Sequence, residues 1–203
     1  MSAFFEALGA RVSRHHHAQP GAPNSFQADL GQAEECHSLV AEVVRERGPL
    51  SMLIHNASIF SATPIESCRP KDWDRFLKIN LASTRALTDA FLVQLTGPGA
   101  LLFVIDSFVE HGLPHHAPYA TAKTAQLGLM EALVKEHGPR LRVNAVSPGL
   151  ILFPPDYSAV KKQRLINKVP LGMGAPQDIC EAAKFLLANR YCNGICLPVN
   201  GGL

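Results

Sequence analysis

Tyr119 and Lys123 stand four positions apart in the segment PYATAKTAQLGL, residues 118–129. Because an α-helix repeats about every 3.6 residues, the two side chains would share one helix face. Free tyrosine has a pKa of about 10 and is a poor acid–base catalyst near neutrality. A cation one turn away lowers that pKa, so the spacing predicts a proton-donating couple. The alternative is an ordinary helix start with an exposed tyrosine and lysine.

The elements that must position this couple alternate along the chain. Apolar runs predict strands, and longer periodic segments predict helices; the strands are 10–14, 25–29, 50–55, 100–106, 141–147 and 195–199, and the helices 31–47, 72–95, 119–137 and 176–189. Strands separated by helices predict βαβ units. We therefore expect an α/β fold, a doubly wound, Rossmann-like parallel sheet, in a single domain spanning residues 1–203.

Local signals predict where some elements begin and end. Asp72 is a candidate cap for the helix that contains Trp73, and Gly138-Pro139 should end the helix that begins at Tyr119. The segment 152–170 follows a strand and carries two prolines and a basic, weakly helical stretch. An insertion after the carboxyl end of such a strand is well placed to cover a ligand.

Charge, hydropathy and cysteine usage exclude several classes of protein. A net charge of +2 forms no basic stripe, so no nucleic-acid partner is expected. No apolar run reaches the roughly 20 residues of a membrane helix, and the start does not look like a signal peptide. Five scattered cysteines fit reduced thiols in a cytoplasmic protein. Adjacent histidines on a strand point to opposite faces, so the runs at 15–17 and 115–116 predict no metal site.

Six short segments occur in a characteristic order: LIHNAS (53–58), KINLAST (78–84), VIDS (104–107), YATAK (119–123), VNAVSPG (143–149) and LPVNGG (197–202). With these segments the chain resembles the short-chain dehydrogenase/reductase family from residue 3 to its end. Thirteen residues before Tyr119, where that family usually has serine, stands Asp106. This aspartate and the HNAS segment resemble the pteridine reductase and dihydromonapterin reductase branch, as do NASIFSATPIE (56–66) and SPGLILF (147–153).

The resemblance implies a catalytic role for four residues. Tyr119 would donate a proton as hydride arrives, Lys123 would hold the nicotinamide ribose, and Asn80 would support Lys123 through water. Asp106 would bind the amide and amino group of a pterin, since a carboxylate accepts two N–H bonds side by side. Two alternatives stay open: Ser107 is the working hydroxyl, or Asp106 only caps a turn.

Phe60 is expected to stack on the substrate ring, and its alternative is a loop phenylalanine that fills the core. The cofactor contacts implied by the resemblance are Arg14, His15, Asp29, Leu30, Asn56, Ala57, Ser58, Lys123, Pro148, Gly149 and Leu150. The strand predicted at 10–14 corresponds to the second strand of the family; it ends in Arg14, and three histidines follow. No acid stands there to bind a ribose 2′-hydroxyl, which favours NADP(H) over NAD(H). Family members usually form homo-oligomers, so a tetramer or dimer is expected.

The start of the chain departs from the family pattern. It opens in the helix-like segment SAFFEALGA, and no glycine cluster of the G-x-G-x-x-G type precedes it. We expect the first strand and glycine-rich turn to be lacking, with an unfilled position between strands 10–14 and 50–55.

The predicted function is NADPH-dependent reduction of a pterin C=N bond. The alternatives are reduction of a carbonyl or steroid-like substrate, and a non-catalytic fragment unable to bind NADPH.

Overall fold

The computed structural model describes residues 1–18 and 23–203. The strands are β1 (Arg14–His16), β2 (Ser25–Gln27), β3 (Met52–His55), β4 (Gly99–Val104), β5 (Leu141–Pro148) and β6 (Cys196–Val199). The helices are α1 (Ser2–Ala7), α2 (Ala33–Arg47), α3 (Pro70–Leu77), α4 (Ser83–Gln94), α5 (Ala117–His137), α6 (Ala159–Ile166) and α7 (Pro176–Ala188). Short 3-10 turns span Ile65–Ser67 and Ser107–Val109. No helix among the described residues is both long and apolar enough to cross a bilayer.

All strand pairs are parallel, but they form two separate sheets. Strands β3, β4, β5 and β6 pair in that order, and β1 pairs with β2. Within the described residues β1 has no strand partner besides β2, and β3 has none besides β4. The predicted α/β class with a parallel sheet is confirmed. The strands lie in two sheets instead of one.

The central strand β4 shows why these apolar runs form a sheet covered on both faces. Side chains alternate along a strand, so Leu101 and Phe103 enter the core cluster that contains Met130 of α5. Ala100 and Leu102 enter the opposite cluster, which α7 covers. Because helices cover both faces, the strand is apolar throughout instead of alternating between apolar and polar residues.

The two-stranded sheet is held to the rest of the molecule by helices. Phe26 of β2 lies in a core cluster with Leu39 of α2 and Ala86 of α4. On another part of the molecule, Phe5 of α1 packs against the cluster that includes β4 and α7. Burial of apolar side chains therefore connects the two sheets without backbone pairing between them.

Several predicted element boundaries are wrong. The strand predicted at 10–14 lies at Arg14–His16. The helix predicted over 72–95 begins at Pro70 and is divided by a π-helical segment, Lys78–Ala82. Proline needs no N–H at a first helical position, so the helix starts there. Asp72 is consequently not the cap residue; its carboxylate accepts a hydrogen bond from the backbone N–H of Arg69, at 3.3 Å.

The predicted end of the long helix is confirmed. Helix α5 ends at His137, immediately before Gly138. Gly138 has φ −70° and ψ 132°, so the chain leaves the helix in an extended conformation. The weakly helical stretch of the 152–170 insertion contains α6, which begins after Ser158; the side-chain oxygen of Ser158 accepts from the backbone N–H of Lys161.

Candidate active site

The candidate site lies where parallel strands end. The carboxyl ends of β3, β4 and β5 share one edge of the four-stranded sheet, because neighbouring strands run in the same direction. Asn56 follows β3, Asp106 follows β4, and Gly149 follows β5. The side chains at the start of α5 come to the same region, since Tyr119 contacts Asp106.

Asp106 and Tyr119 form the central contact. The Tyr119 hydroxyl donates a hydrogen bond to Oδ2 of Asp106 at 2.9 Å. Oδ1 of the same carboxylate accepts from the backbone N–H of Phe108, also at 2.9 Å. Asp106 therefore caps the turn at Ser107–Val109 and faces the phenol at the same time, so the two interpretations of this aspartate are compatible.

Burial and the facing carboxylate keep the phenol protonated. Burial raises the pKa of Tyr119 well above its ordinary value, and the nearby Asp106 carboxylate raises it further. Burial likewise raises the pKa of Asp106, although its hydrogen bonds from Phe108 and Tyr119 oppose this shift. The expectation that Lys123 lowers the pKa of Tyr119 is therefore wrong for this arrangement. The phenol is an acid with its proton in place.

Lys123 is buried beneath the site. It is only 3% exposed, and its ammonium donates to the backbone oxygen of Val104 at 2.7 Å. Burial lowers its pKa to about 8, with the Asp106 carboxylate acting in the opposite direction. An ammonium has three N–H donors, and Val104 accepts from one of them. Two donors are thus left for a ligand, which fits the ribose hydroxyls of a nicotinamide cofactor.

Asn80 is fully buried in the π-helical segment and holds the loop after β3. Its Oδ1 accepts from the backbone N–H of Ile59 at 2.8 Å and from the Ser58 hydroxyl at 3.2 Å. Its Nδ2 donates to the backbone oxygen of Ile59 at 3.0 Å. These are direct contacts with the loop, whereas the resemblance implied water-mediated support of Lys123. Short π-helical segments such as Lys78–Ala82 are frequent at functional sites.

Phe60 is placed beside Tyr119 by this loop. The two ring centroids lie 4.9 Å apart with planes at 82°. On the other hand, Phe60 also stacks on His116, at 4.5 Å between centroids and 13° between planes. Its side chain is 40% exposed and does not fill the core. Phe60 is therefore in the site, but part of its ring surface is already covered.

Ser107 points to a different strand. Its hydroxyl donates to the backbone oxygen of Ser147 at 2.8 Å and lies 3.1 Å from the Ser147 hydroxyl. The residue is 1% exposed. Among these two candidates, Asp106 is the one that contacts Tyr119.

The predicted cofactor residues divide into two groups. Asn56, Ala57 and Ser58 form an exposed loop after β3. Pro148 ends β5 and Gly149 follows it; both are half-buried, and a Cβ at Gly149 would lie 2.6 Å from the Cα of Asn200. No side chain fits there, so the close approach of the Asn200 backbone requires glycine. Leu150 is buried behind it.

The second group lies around the two-stranded sheet and is bound to the protein itself. Arg14 forms an ion pair with Glu6 and donates to the backbone oxygen of Pro23 at 2.7 Å. His15 Nε2 bonds the backbone oxygen of Ala28 at 2.9 Å.

The two residues after β2 are also used within the fold. The Asp29 carboxylate accepts from the backbone N–H of Gly31 at 2.9 Å, so it forms a turn before α2. Leu30 is buried in the core cluster that includes Phe26 and Cys36.

Two histidines near the site were missed by sequence reasoning. His116, three residues before Tyr119, was considered only as a metal ligand, and its stacking on Phe60 depends on tertiary structure. His55 ends β3; it is buried, hydrogen-bonded to the Thr88 hydroxyl at 3.0 Å and stacked on Phe103. Burial lowers its pKa to about 3, so it is a neutral residue. Its place at a strand end was the one signal available.

Comparisons with known proteins identify the family of the chain. The family model described as enoyl-(acyl carrier protein) reductase matches residues 3–203. A 3-oxoacyl-[acyl-carrier-protein] reductase of Rickettsia typhi is 32% identical over 86% of this chain and 74% of that protein. The structure of a short-chain dehydrogenase/reductase, glucose/ribitol dehydrogenase, from Brucella melitensis has a TM-score of 0.80 at 28% identity, covering 88% of this chain and 74% of that one.

A further structure, of a blue fluorescent protein from a metagenomic library in complex with NADPH, has a TM-score of 0.81 at 27% identity. The match covers 88% of this chain and 74% of that one. The family model spans nearly the whole chain, and the parallel sheet with its helices agrees with it. The chain belongs to the short-chain dehydrogenase/reductase family and is an oxidoreductase of that type.

Proposed function

We propose that the protein is an NADPH-dependent reductase of a flat C=N heterocycle of the pterin class. The observation that carries the proposal is the 2.9 Å contact between the Tyr119 hydroxyl and the Asp106 carboxylate. A carboxylate accepts hydrogen bonds and cannot donate to a ketone oxygen, which is itself an acceptor. It matches the amino and amide N–H groups of a pterin. Phe60, beside Tyr119, adds an aromatic surface for a flat ring.

Tyr119 delivers the proton in this proposal. When held at Lys123, a nicotinamide cofactor would supply the hydride that the carbon of the C=N bond receives. The Tyr119 hydroxyl turns from Asp106 to the ring nitrogen and donates its proton there, so that C=N becomes CH–NH. Its raised pKa ensures that the phenol holds a proton before the reaction. After the transfer, the phenolate recovers a proton from solvent.

The substrate itself makes this proton transfer easier. A phenolate formed next to a free carboxylate is unfavourable, because two like charges lie close together. Substrate N–H groups that bond Asp106 reduce the effect of its charge on the phenol. An N–H-rich heterocycle therefore lowers the pKa of Tyr119 when it binds, and a simple ketone does not. This gives Asp106 a role in both binding and proton transfer.

The remaining residues hold the reactants in place. Lys123 would use its two free N–H donors on the ribose hydroxyls, and the loop of Asn56, Ala57 and Ser58, held by Asn80, would border the cofactor. Pro148, Gly149 and Leu150 would border it on the side of β5. Positioning of this kind contributes to catalysis by fixing the reacting groups in orientation.

The preference for NADPH is a further part of the proposal. Strand β1 ends without an acidic residue that would repel a 2′-phosphate. The blue fluorescent protein with a similar fold was solved with NADPH. Arg14 is paired with Glu6, but an ion pair near the surface contributes only about 0–1 kcal/mol. A 2′-phosphate can therefore compete for the guanidinium, but it must first displace Glu6, so Arg14 adds only a small preference for NADPH.

A carbonyl reductase is the second candidate, and one observation favours it. The Rickettsia typhi relative is named for reduction of a 3-oxoacyl group on a carrier protein. In that case Asp106 would have to be protonated to bond the carbonyl oxygen, which burial makes easier by raising its pKa.

Oxidation of NADPH in the presence of each substrate distinguishes the two candidates. We expect turnover of 7,8-dihydrobiopterin with kcat/KM at least about tenfold above that for a 3-oxoacyl thioester, since a mispaired polar group costs ~1–3 kcal/mol. The reverse order supports the carbonyl candidate. A fluorescence titration without saturable NADPH binding supports the non-catalytic alternative.

A further inference from the structure

His116 occupies a defined place at the start of α5. It is the last residue before that helix, and its predecessor His115 has φ +63°. This left-handed conformation is uncommon for a non-glycine residue and persists where surrounding contacts impose it. Here the backbone oxygen of His115 accepts from the N–H of Thr63. The loop that carries Phe60 is thus joined directly to the residue before His116.

The ring of His116 uses one face and one nitrogen within the protein. Its Nδ1 lies 2.7 Å from the backbone oxygen of Pro114. A carbonyl oxygen only accepts, so Nδ1 carries the proton and donates. In the neutral ring Nε2 is then an acceptor, and it has no hydrogen-bond partner within residues 1–18 and 23–203. One face of the ring stacks on Phe60.

These contacts place four groups in a row. The imidazole of His116 stacks on Phe60, the phenyl ring meets Tyr119 edge to face, and the phenol donates to Asp106. Three of the four groups are aromatic. The groups at the two ends of the row, His116 and Asp106, each carry a hydrogen-bond acceptor. Such a surface complements a flat ring with N–H groups along its edge.

We propose that His116 determines substrate specificity: its ring holds Phe60 in position, and its Nε2 accepts a hydrogen bond from an N–H of the heterocyclic substrate. This inference rests on the proposed function and deepens it, because it assigns a second acceptor besides Asp106. Nothing in the reaction requires His116 to exchange a proton with the substrate. Its effect is therefore on the binding of the substrate, with a smaller effect on the chemical step.

Three substitutions separate the two contacts. His116→Ala removes the stacking face and the acceptor, His116→Phe keeps an aromatic face without an acceptor, and His116→Gln keeps an acceptor without a ring. The matched control is His111→Ala, which removes an exposed histidine from the same loop. All four variants and the parent are assayed with NADPH and 7,8-dihydrobiopterin, and circular dichroism verifies that each folds.

We expect KM for dihydrobiopterin to rise roughly tenfold or more in His116→Ala, while kcat changes less than about threefold. His116→Phe and His116→Gln should each recover part of the loss, because each retains one of the two contacts. His111→Ala should behave like the parent.

Three outcomes overturn the proposal. KM within about twofold of the parent in His116→Ala shows that neither contact matters for this substrate. A fall in kcat at unchanged KM assigns His116 to the chemical step instead. A parent enzyme that neither binds nor reduces dihydrobiopterin overturns the proposed function and this inference together, whereas an active parent with unaffected variants overturns this inference alone.

Discussion

The polar groups at the carboxyl ends of β3 to β5 differ from those around the two-stranded sheet in one respect. Lys123 uses one of its three N–H donors on the protein, and His116 leaves Nε2 without a protein partner in the described part of the chain. Around β1 and β2, by contrast, Arg14 is bound to Glu6 and Pro23, and His15 to Ala28. At the carboxyl ends of β3 to β5, polar groups of the described residues keep unused hydrogen-bond donors and acceptors. The polar groups around β1 and β2 are bonded to other parts of the protein.

This difference shows what residue type alone cannot tell. An arginine at the end of β1 and a lysine on α5 look equally available in a sequence. A buried ammonium with unused donors pays an electrostatic cost that a ligand can relieve, whereas a paired guanidinium must first release its partner. The following predictions test the contrast between the two regions, beginning with the largest expected effect.

Tyr119→Phe should lower kcat with dihydrobiopterin by a factor of about 10²–10⁴, since general acid catalysis contributes that much. The phenyl ring keeps its contact with Phe60, so the fold and NADPH binding should be retained. Steady-state kinetics and a thermal melt measure both. Tyr191→Phe is the control, because Tyr191 is 99% exposed. Equal losses in the two variants would contradict the assignment of Tyr119.

Lys123 should make the stability of the fold depend on pH. Its pKa is about 8 in the folded protein and 10.5 in the reference state, so between these values the unfolded chain binds more protons. Stability therefore rises with pH across this window, by up to about 3 kcal/mol relative to a chain without the lysine. Urea denaturation of the parent and Lys123→Met, from about pH 7 upward, measures the difference.

The same variant tests the binding capacity of this lysine. Lys123→Met should weaken NADPH binding about tenfold, since two donors to the ribose hydroxyls are lost. Two results together would contradict this assignment of Lys123. They are a difference in unfolding free energy between parent and variant that stays constant with pH, and an NADPH affinity that is the same in both proteins.

Asp106→Asn should lower kcat/KM for dihydrobiopterin by about 10–100-fold, because hydrogen bonds to a charged group contribute ~1.5–3 kcal/mol. The amide oxygen can still accept from Phe108, so the turn is kept. Removing the carboxylate also removes a cause of the raised pKa of Tyr119, so that pKa should fall. Lys123, with a pKa of about 8, also titrates in the alkaline limb of the pH–rate profile, so the tyrosines are titrated directly by their ultraviolet absorbance. One phenol should ionise at lower pH in the variant than in the parent, and identical titration curves would mean that Asp106 and Tyr119 are not coupled.

Arg14 should have the smallest effect. Arg14→Ala should change the ratio of NADPH to NADH affinity by less than about fivefold, since its guanidinium is already paired with Glu6. Glu6→Gln releases the guanidinium and should raise the preference for NADPH by about fivefold. Fluorescence titrations with both cofactors measure the ratio. A large loss in Arg14→Ala would erase the contrast between the two regions.

Much of the fold was predictable because it depends on local patterns. The apolar run of β4 lies within one or two residues of its predicted limits, and α5 ends where Gly138-Pro139 predicts. The π-helical segment at Lys78–Ala82 was not predicted, since its sequence suits a regular helix. Its extra residue coincides with the Asn80 contacts to Ser58 and Ile59, which join distant parts of the chain. No pattern within the helix reports such a contact.

The candidate site was predictable only in part. The four-residue spacing of Tyr119 and Lys123 follows from the period of a helix, whereas Asp106 was identified through the family resemblance, thirteen residues before Tyr119. The partner of Arg14 and the stacking of His116 on Phe60 do not, because they join different elements. The direction of the Tyr119 pKa shift also needed the structure, since burial is its largest cause.

The sequence by itself determined the alternation of strands and helices, the parallel sheet and the residue types at the strand ends, because these depend on covalent geometry and on side chains near in the chain. Only the tertiary structure decided which of those polar groups are already bonded within the protein and which remain for a ligand. Hydrogen bonds and burial act over a few ångströms in space, and folding alone brings such groups within that distance.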